Sequence, residues 1–167
     1  MRTLSDGFRA ALADPITQLC QCVQVTSRNG LVFRATNHDR DLEWQGAIYP
    51  ARGGLEVQGL HPNAGLEPDT AVLIGPLGDV SREALEQGFW DRAKVEVFWV
   101  DWSSALSDAA QWSPSGMTTI AREGHNVFTG YISNIKYTGF GFEADLASIK
   151  AKLTRQIGRV YARHCDA

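Results

Sequence analysis

The chain is short of cysteine, of positive charge and of long apolar runs, and each shortage removes a class of protein. Its three cysteines are an odd number. Cys20 and Cys22 stand too close together for an ordinary bridge and Cys165 lies at the far end, so a disulfide framework is excluded and reduced thiols are expected. No apolar stretch is long enough to cross a bilayer or form a secretory core, and polar Ser5 and Asp6 follow soon after Met1. That argues against export by a signal peptide and against a membrane partner; the chain is expected to be made in the cytoplasm. A formal net charge of -3 and a pI near 5.8 exclude a protein that coats nucleic acid, which needs clustered Lys and Arg over a whole face. Proteins or small molecules are the expected partners.

What remains is ample for one folded unit. With 167 residues, 44% of them apolar and 21% charged, the chain can bury a sizeable core without bridges or metals. Leu4, Phe8 and Leu12 recur every four residues, with Ser5 available as a cap and Asp14-Pro15 as a stop, which predicts a short N-terminal helix. A β-prone stretch from 18 to 27 holds Cys20, Cys22, Val23 and Val25. Arg28-Asn29-Gly30 then offers a tight hairpin turn, and residues 31–36 return antiparallel. A second hairpin pairs Leu42-Glu43-Trp44 with Ala47-Ile48-Tyr49 around Gln45-Gly46. Residues 51–65 are dense in Gly and Pro and read as an irregular connection with brief extended pieces.

Further along, residues 70–74 form an apolar run closed by Gly75-Pro76 and suit a buried strand. Ser81 can cap an inserted helix carrying Leu85 and Phe89 that ends near Arg92. Val95, Val97 and Trp99 alternate with Lys94, Glu96 and Phe98 in a strand leading to Asp101-Trp102. Residues 103–116 read as a polar loop. Residues 117–122, 127–137 and 142–149 then form a meander, with turns at Glu123-Gly124-His125-Asn126 and Thr138-Gly139-Phe140-Gly141. The expected class is mainly β (α+β): an antiparallel β-barrel or sandwich carrying an N-terminal helix, one inserted helix and a short basic C-terminal helix.

Charge divides this β-rich domain, residues 1–149, from a tail, residues 150–167. The tail holds Lys150, Lys152, Arg155, Arg159 and Arg163 against Asp166 alone, a formal +4, while the body has 11 basic and 18 acidic residues, a formal -7. Leu153, Ile157 and Val160 or Tyr161 have the spacing of an amphipathic helix broken near Gly158. Such a tail is either a solvated face that neutralises its own domain or a contact for an acidic neighbour or a nucleic acid end.

Side chains with chemical potential divide in the same way between bland and specific roles. Asn37-His38-Asp39-Arg40-Asp41 could offer oxygen ligands to Ca²⁺, with Asp39 and Asp41 as the candidates, but it lacks a twelve-residue loop with a terminal Glu. A structural turn, with both carboxylates bonding backbone N–H groups, is the favoured reading, and no metal is expected. Cys20 and Cys22 share one strand face and suit core packing. His164-Cys165 lacks the orienting group that a thiol nucleophile needs, and Glu143 and Asp145 read as carboxylates on a wet sheet face rather than a glycosidase pair. The five Trp, seven Phe and four Tyr suit either subunit interfaces or a sugar-stacking surface.

Gly30, Asn37-His38-Asp39-Arg40-Asp41-Leu42 with Gly46 and Tyr49, the strand Val95 to Trp102, and Gly158-Arg159-Val160-Tyr161 with Cys165 together resemble the N-terminal region of the tail-hub family of long-tailed phages and gene transfer agents. The resemblance spans nearly the whole chain. It implies a non-enzymatic tail hub or tip component of the virion, similar to a lambda-like minor tail protein that joins tube to tip and is made in the bacterial cytoplasm. Implied partners are distal tail and tip or fibre proteins and further copies of the chain, most simply a trimer, with nucleic acid met only transiently in the tail lumen. Trp102, Trp112, Arg155 and Arg159 are the interface candidates, with loops 51–65 and 103–116 contacting neighbours.

In that family a further C-terminal portion carries cysteines thought to hold an iron-sulfur cluster, and Cys165 matches the first. A cluster takes about four thiolates. This sequence ends two residues later and is read as an N-terminal piece with the cluster absent. The alternatives to a hub are a carbohydrate-binding module of the tail tip and a cell-wall hydrolase.

Overall fold

The computed structural model describes residues 4–16, 18–51, 54–60, 68–76, 80, 82–102, 111–113, 116–121, 123–137 and 139–153. Its frame is a seven-stranded sheet curled into a half-barrel. The strands are β1 (Leu19–Thr26), β2 (Val32–Thr36), β5 (Glu56–Gln58), β6 (Thr70–Pro76), β7 (Lys94–Asp101), β10 (Glu123–Tyr137) and β11 (Gly141–Ser148), in the order β2-β1-β7-β10-β11-β6-β5. Every neighbouring pair in it is antiparallel. A smaller sheet orders β4 (Ala47–Tyr49), β3 (Leu42–Trp44), β9 (Gly116–Ile120) and β8 (Gln111–Ser113). Its central pair, β3 with β9, is parallel, with Leu42 opposite Thr119. Among the described residues there are three short helices: α1 (Asp6–Ala13), α2 (Arg82–Glu86) and α3 (Lys150–Leu153).

The expected mainly antiparallel β architecture is borne out, and its strands owe their burial to residues that face both ways. In β1, Val23 and Val25 enter one core with Val95, Val97, Phe128, Ile132, Leu73, Leu146 and Trp90. The alternate residues Cys20 and Cys22 enter a second core on the opposite face, with Leu42, Trp44, Tyr49, Val100 and Ala121. A pleated strand sends successive side chains to opposite faces, so β1 and β7 are covered on both sides where the small sheet lies against them. Each large apolar side chain buried in this way contributes roughly 1.5–3 kcal/mol.

The turns follow local chemistry. Gln45 and Gly46 both take positive φ, 53° and 72°, which is how a two-residue hairpin closes β3 onto β4. Ser5 caps α1 as expected: its Oγ accepts the Phe8 N–H at 3.2 Å and donates to Glu123 Oε2 at 2.6 Å. Of the apolar stripe on α1, Phe8 is the residue that buries, against His125, while Leu12 stays exposed.

Four expectations need correction. Residues 123–126 are not a turn; they open β10 and pair with β7 from Asp101 to Phe98, with a bulge before Phe128 that restores register. Residues 111–113, inside the expected polar loop, form strand β8. The three-strand meander is not one sheet, because β9 belongs to the smaller sheet while β10 and β11 belong to the larger. The inserted helix stops at Glu86 rather than near Arg92, since Gly88 takes a left-handed φ of 69° and Phe89 N–H folds back to Ala84 C=O. The expected Ser81 cap, and the tail helix beyond residue 153, fall outside the described residues.

Where β2 stops pairing, the start of β1 faces the free edge of β5 across a seam. There the Gln21 side chain acts in place of a strand: its Oε1 accepts the Val57 N–H at 3.2 Å and its Nε2 donates to Val57 C=O at 3.5 Å.

Candidate interaction surfaces

The Asn37–Asp41 segment begins where β2 stops pairing with β1, at Thr36 opposite Cys22. Beyond that point side chains take over the ladder. Asn37 Oδ1 accepts the Gln21 N–H at 2.7 Å, and the Asn37 N–H and Thr36 hydroxyl both donate to Gln21 C=O. His38 N–H donates to Thr36 Oγ1, and Arg40 N–H donates to His38 Nδ1 at 3.1 Å. Asp41 Oδ1 accepts the Ala51 N–H at 2.8 Å and thereby ties the entrance of the second hairpin to its exit. Asp39, 80% exposed, lies 3.1 Å from His38 Nδ1. The cluster thus works as a hydrogen-bonded corner.

The other sequence-predicted site residues scatter. Trp102 leaves β7 with its N–H bonded to Gln18 C=O, and its ring lies 5.1 Å from the His38 imidazole. Trp112 sits on β8 opposite Met117. Arg155, Arg159 and Cys165 lie outside the described residues. Cys20 and Cys22 are buried, and Cys20 Sγ donates to Val100 C=O at 3.5 Å. The hydrogen bond with Cys22, together with burial, pushes the Cys20 thiol well up from the usual range, which keeps it protonated and unreactive. Burial pushes the Tyr49 hydroxyl up to about 12. Glu143 and Asp145 both face Lys136, at 3.5 and 3.8 Å, on the outer face of β11.

Sequence reasoning missed a groove of about 650 Å³ at one end of the large sheet. Arg28 from the β1–β2 turn, Arg92 just before β7 and Lys94 at its start, Tyr131 to Ser133 from β10, the end of β11, and Ala151 and Lys152 from α3 converge there, and none of the described residues lining it is an Asp or Glu. The signal was dispersed through the sequence: single cations at 28, 92, 94 and 152 become neighbours only when β1, β7, β10 and β11 lie side by side.

The family model described as "Baseplate hub protein, N-terminal attachment domain" matches residues 5–167. The chain belongs to that family. The attachment domain is therefore a structural part of a phage-type tail assembly, as the resemblance implied. Among solved structures, a chain from the virion of a native gene transfer agent particle shares the fold, with a TM-score of 0.72 and 22% identity over 98% of this domain. The domain spans 51% of that chain. A crystal structure named as an oxidoreductase of Sinorhizobium meliloti 1021 is 10% identical over 88% of the domain and 47% of its own chain; its TM-score of 0.35 carries no argument. No curated protein matches the domain.

Proposed function

We propose that this domain attaches a baseplate hub to the tail tube and so joins tube to tip, acting through shape and contact rather than through chemistry. The observation that carries the reading is the hub attachment family spanning residues 5–167. On this reading the domain resides in the virion tail, its partners are distal tail and tip or fibre proteins, and copies of it stand in a ring, most simply of three. An iron-sulfur cluster, where one exists, belongs to a longer form in which Cys165 is joined by further thiolates.

Side-chain placement supports a non-enzymatic role. The thiols Cys20 and Cys22 are enclosed, and the Glu143–Asp145 pair faces Lys136 on a surface rather than in a cleft. Trp44 and Trp90 are spent on the two cores.

The test is imaging of particles from cells with and without the gene. Normal particles should show density for the domain between tube and tip, and the deletion should yield tubes without a completed tip. Intact tips in the deletion strain, or clearing of purified peptidoglycan by the isolated chain, would overturn the proposal.

A further inference from the structure

The geometry points to the groove at the end of the large sheet as a docking site for a short acidic peptide segment with apolar side chains, supplied by another protein. This chemistry is independent of the hub role, because it rests on the groove alone. Arg28, Arg92, Lys94 and Lys152 line the groove, and no carboxylate among the described residues lines it with them. Lys94 is partly satisfied by Glu96 at 2.9 Å. Arg28, Arg92 and Lys152 have no carboxylate partner among the described residues. Lys150, the chain neighbour of Ala151, is by contrast held by Asp69 at 3.2 Å. Unpaired cations around a concavity are what a carboxylate-bearing ligand would complete, and Arg in particular can grip a carboxylate through two parallel hydrogen bonds.

Two further features bear on the ligand. Arg92 holds a left-handed φ of 56° in the turn that Ala93 N–H closes onto Trp90 C=O at 3.0 Å. Glycine would take that conformation without strain, so a cation is kept at the groove rim at a backbone cost. The Lys152 ammonium rests 3.8 Å from the centroid of the Tyr131 ring, which positions its charge without neutralising it. Ile132, Ala147 and Ala151 supply apolar walls between the cations.

Size and charge decide between a peptide and a nucleic acid. A duplex binder neutralises roughly six to ten phosphates spread along a face. This groove offers four cations in about 650 Å³, on a chain of net charge -3. That volume lies within the range of roughly 300–1,000 Å³ usual for ligand clefts. A few carboxylates flanking apolar side chains match both the charge count and the walls, whereas a continuous polyanion would meet repulsion beyond the rim.

The full chain is titrated by fluorescence anisotropy with a labelled peptide of alternating Glu and Leu, with its Gln-for-Glu analogue, and with a labelled DNA duplex. The acidic peptide should bind, weaken as salt rises, and outcompete both others. The double variant Arg28→Glu with Lys152→Glu should lose about tenfold or more in affinity, while Arg9→Glu on α1 should not. Arg92→Gly separates binding from folding: it should weaken the peptide while melting no lower than the parent. Equal binding of the Gln analogue, tighter binding of the duplex, or an unchanged affinity in the double variant and in Arg92→Gly overturns the proposal.

Discussion

Gly124 tests how the small sheet is held to the large one. It lies on β10 opposite Val100, and a Cβ built there would stand 2.9 Å from Trp44 Cε2 and 3.0 Å from Cζ2. Carbon atoms rest at about 3.5–4.0 Å, so the indole must withdraw by most of an ångström. It has little room to do so: Trp44 is 5% exposed, with the rings of Phe98 and Tyr49 at 4.6 and 6.4 Å. Overpacking of this kind costs about 1–3 kcal/mol. Replacing a strand glycine recovers about 0.4–1 kcal/mol through the unfolded chain. Gly124→Ala should therefore destabilise by roughly 0.5–2 kcal/mol, which at about 2–4 °C per kcal/mol lowers the melting temperature by a few degrees. The same change in a Trp44→Leu background meets no indole and should be neutral or stabilising, giving a coupling of about 1–3 kcal/mol. Urea unfolding followed by far-ultraviolet circular dichroism measures all four proteins. Equal effects of Gly124→Ala in both backgrounds would refute the packing argument.

Asp41→Ala removes the acceptor for the Ala51 N–H and should cost about 1.5–3 kcal/mol by thermal melting; a rise in the parent's melting temperature on adding Ca²⁺ would instead assign Asp39 and Asp41 to an ion. Tyr49 has a folded pKa of about 12 against an ordinary 10, so its contribution is whole below pH 10 and is lost as pH climbs toward 12, with no counterpart in acid. Absorbance titration near 295 nm should show a late-titrating tyrosine that disappears in Tyr49→Phe. Cys20 and Cys22 should resist iodoacetamide in the native protein and react in denaturant, by peptide mass mapping; native labelling of either would show that the second core opens readily.

Local signals in the sequence translated well into local structure. Ser5 before Phe8, Gln45-Gly46 and the alternation around Val95 each name an element whose geometry depends on near neighbours, and each formed as read. Partner choice between distant strands was not legible. Nothing in residues 19–26 says that they pair with 94–101, and nothing in 111–120 says that it joins Leu42 rather than β10. Residues 123–126 misled because Gly124 and Asn126 are turn formers; here the glycine is needed for the close approach of Trp44, and the tertiary contact overrides propensity. The groove was hidden for the same reason, since its cations meet through sheet order. In the Asn37–Asp41 corner the residue types did suggest hydrogen-bonded backbone, and the bonds from Gln21 and Ala51 are of that kind.

The parallel pairing of β3 with β9 sets an order of assembly. Leu42 and Thr119 meet across more than seventy intervening residues, a separation like that of Leu19 and Asp101 in the β1–β7 pair, but two registered pairs hold β3 to β9 where eight hold β1 to β7. Contacts of such long range repay their loop-closure entropy late. The smaller sheet is then the last clasp to shut and the first to loosen, so its amides should exchange with solvent well before those of β7, and the thiols beneath it become a timer for that opening.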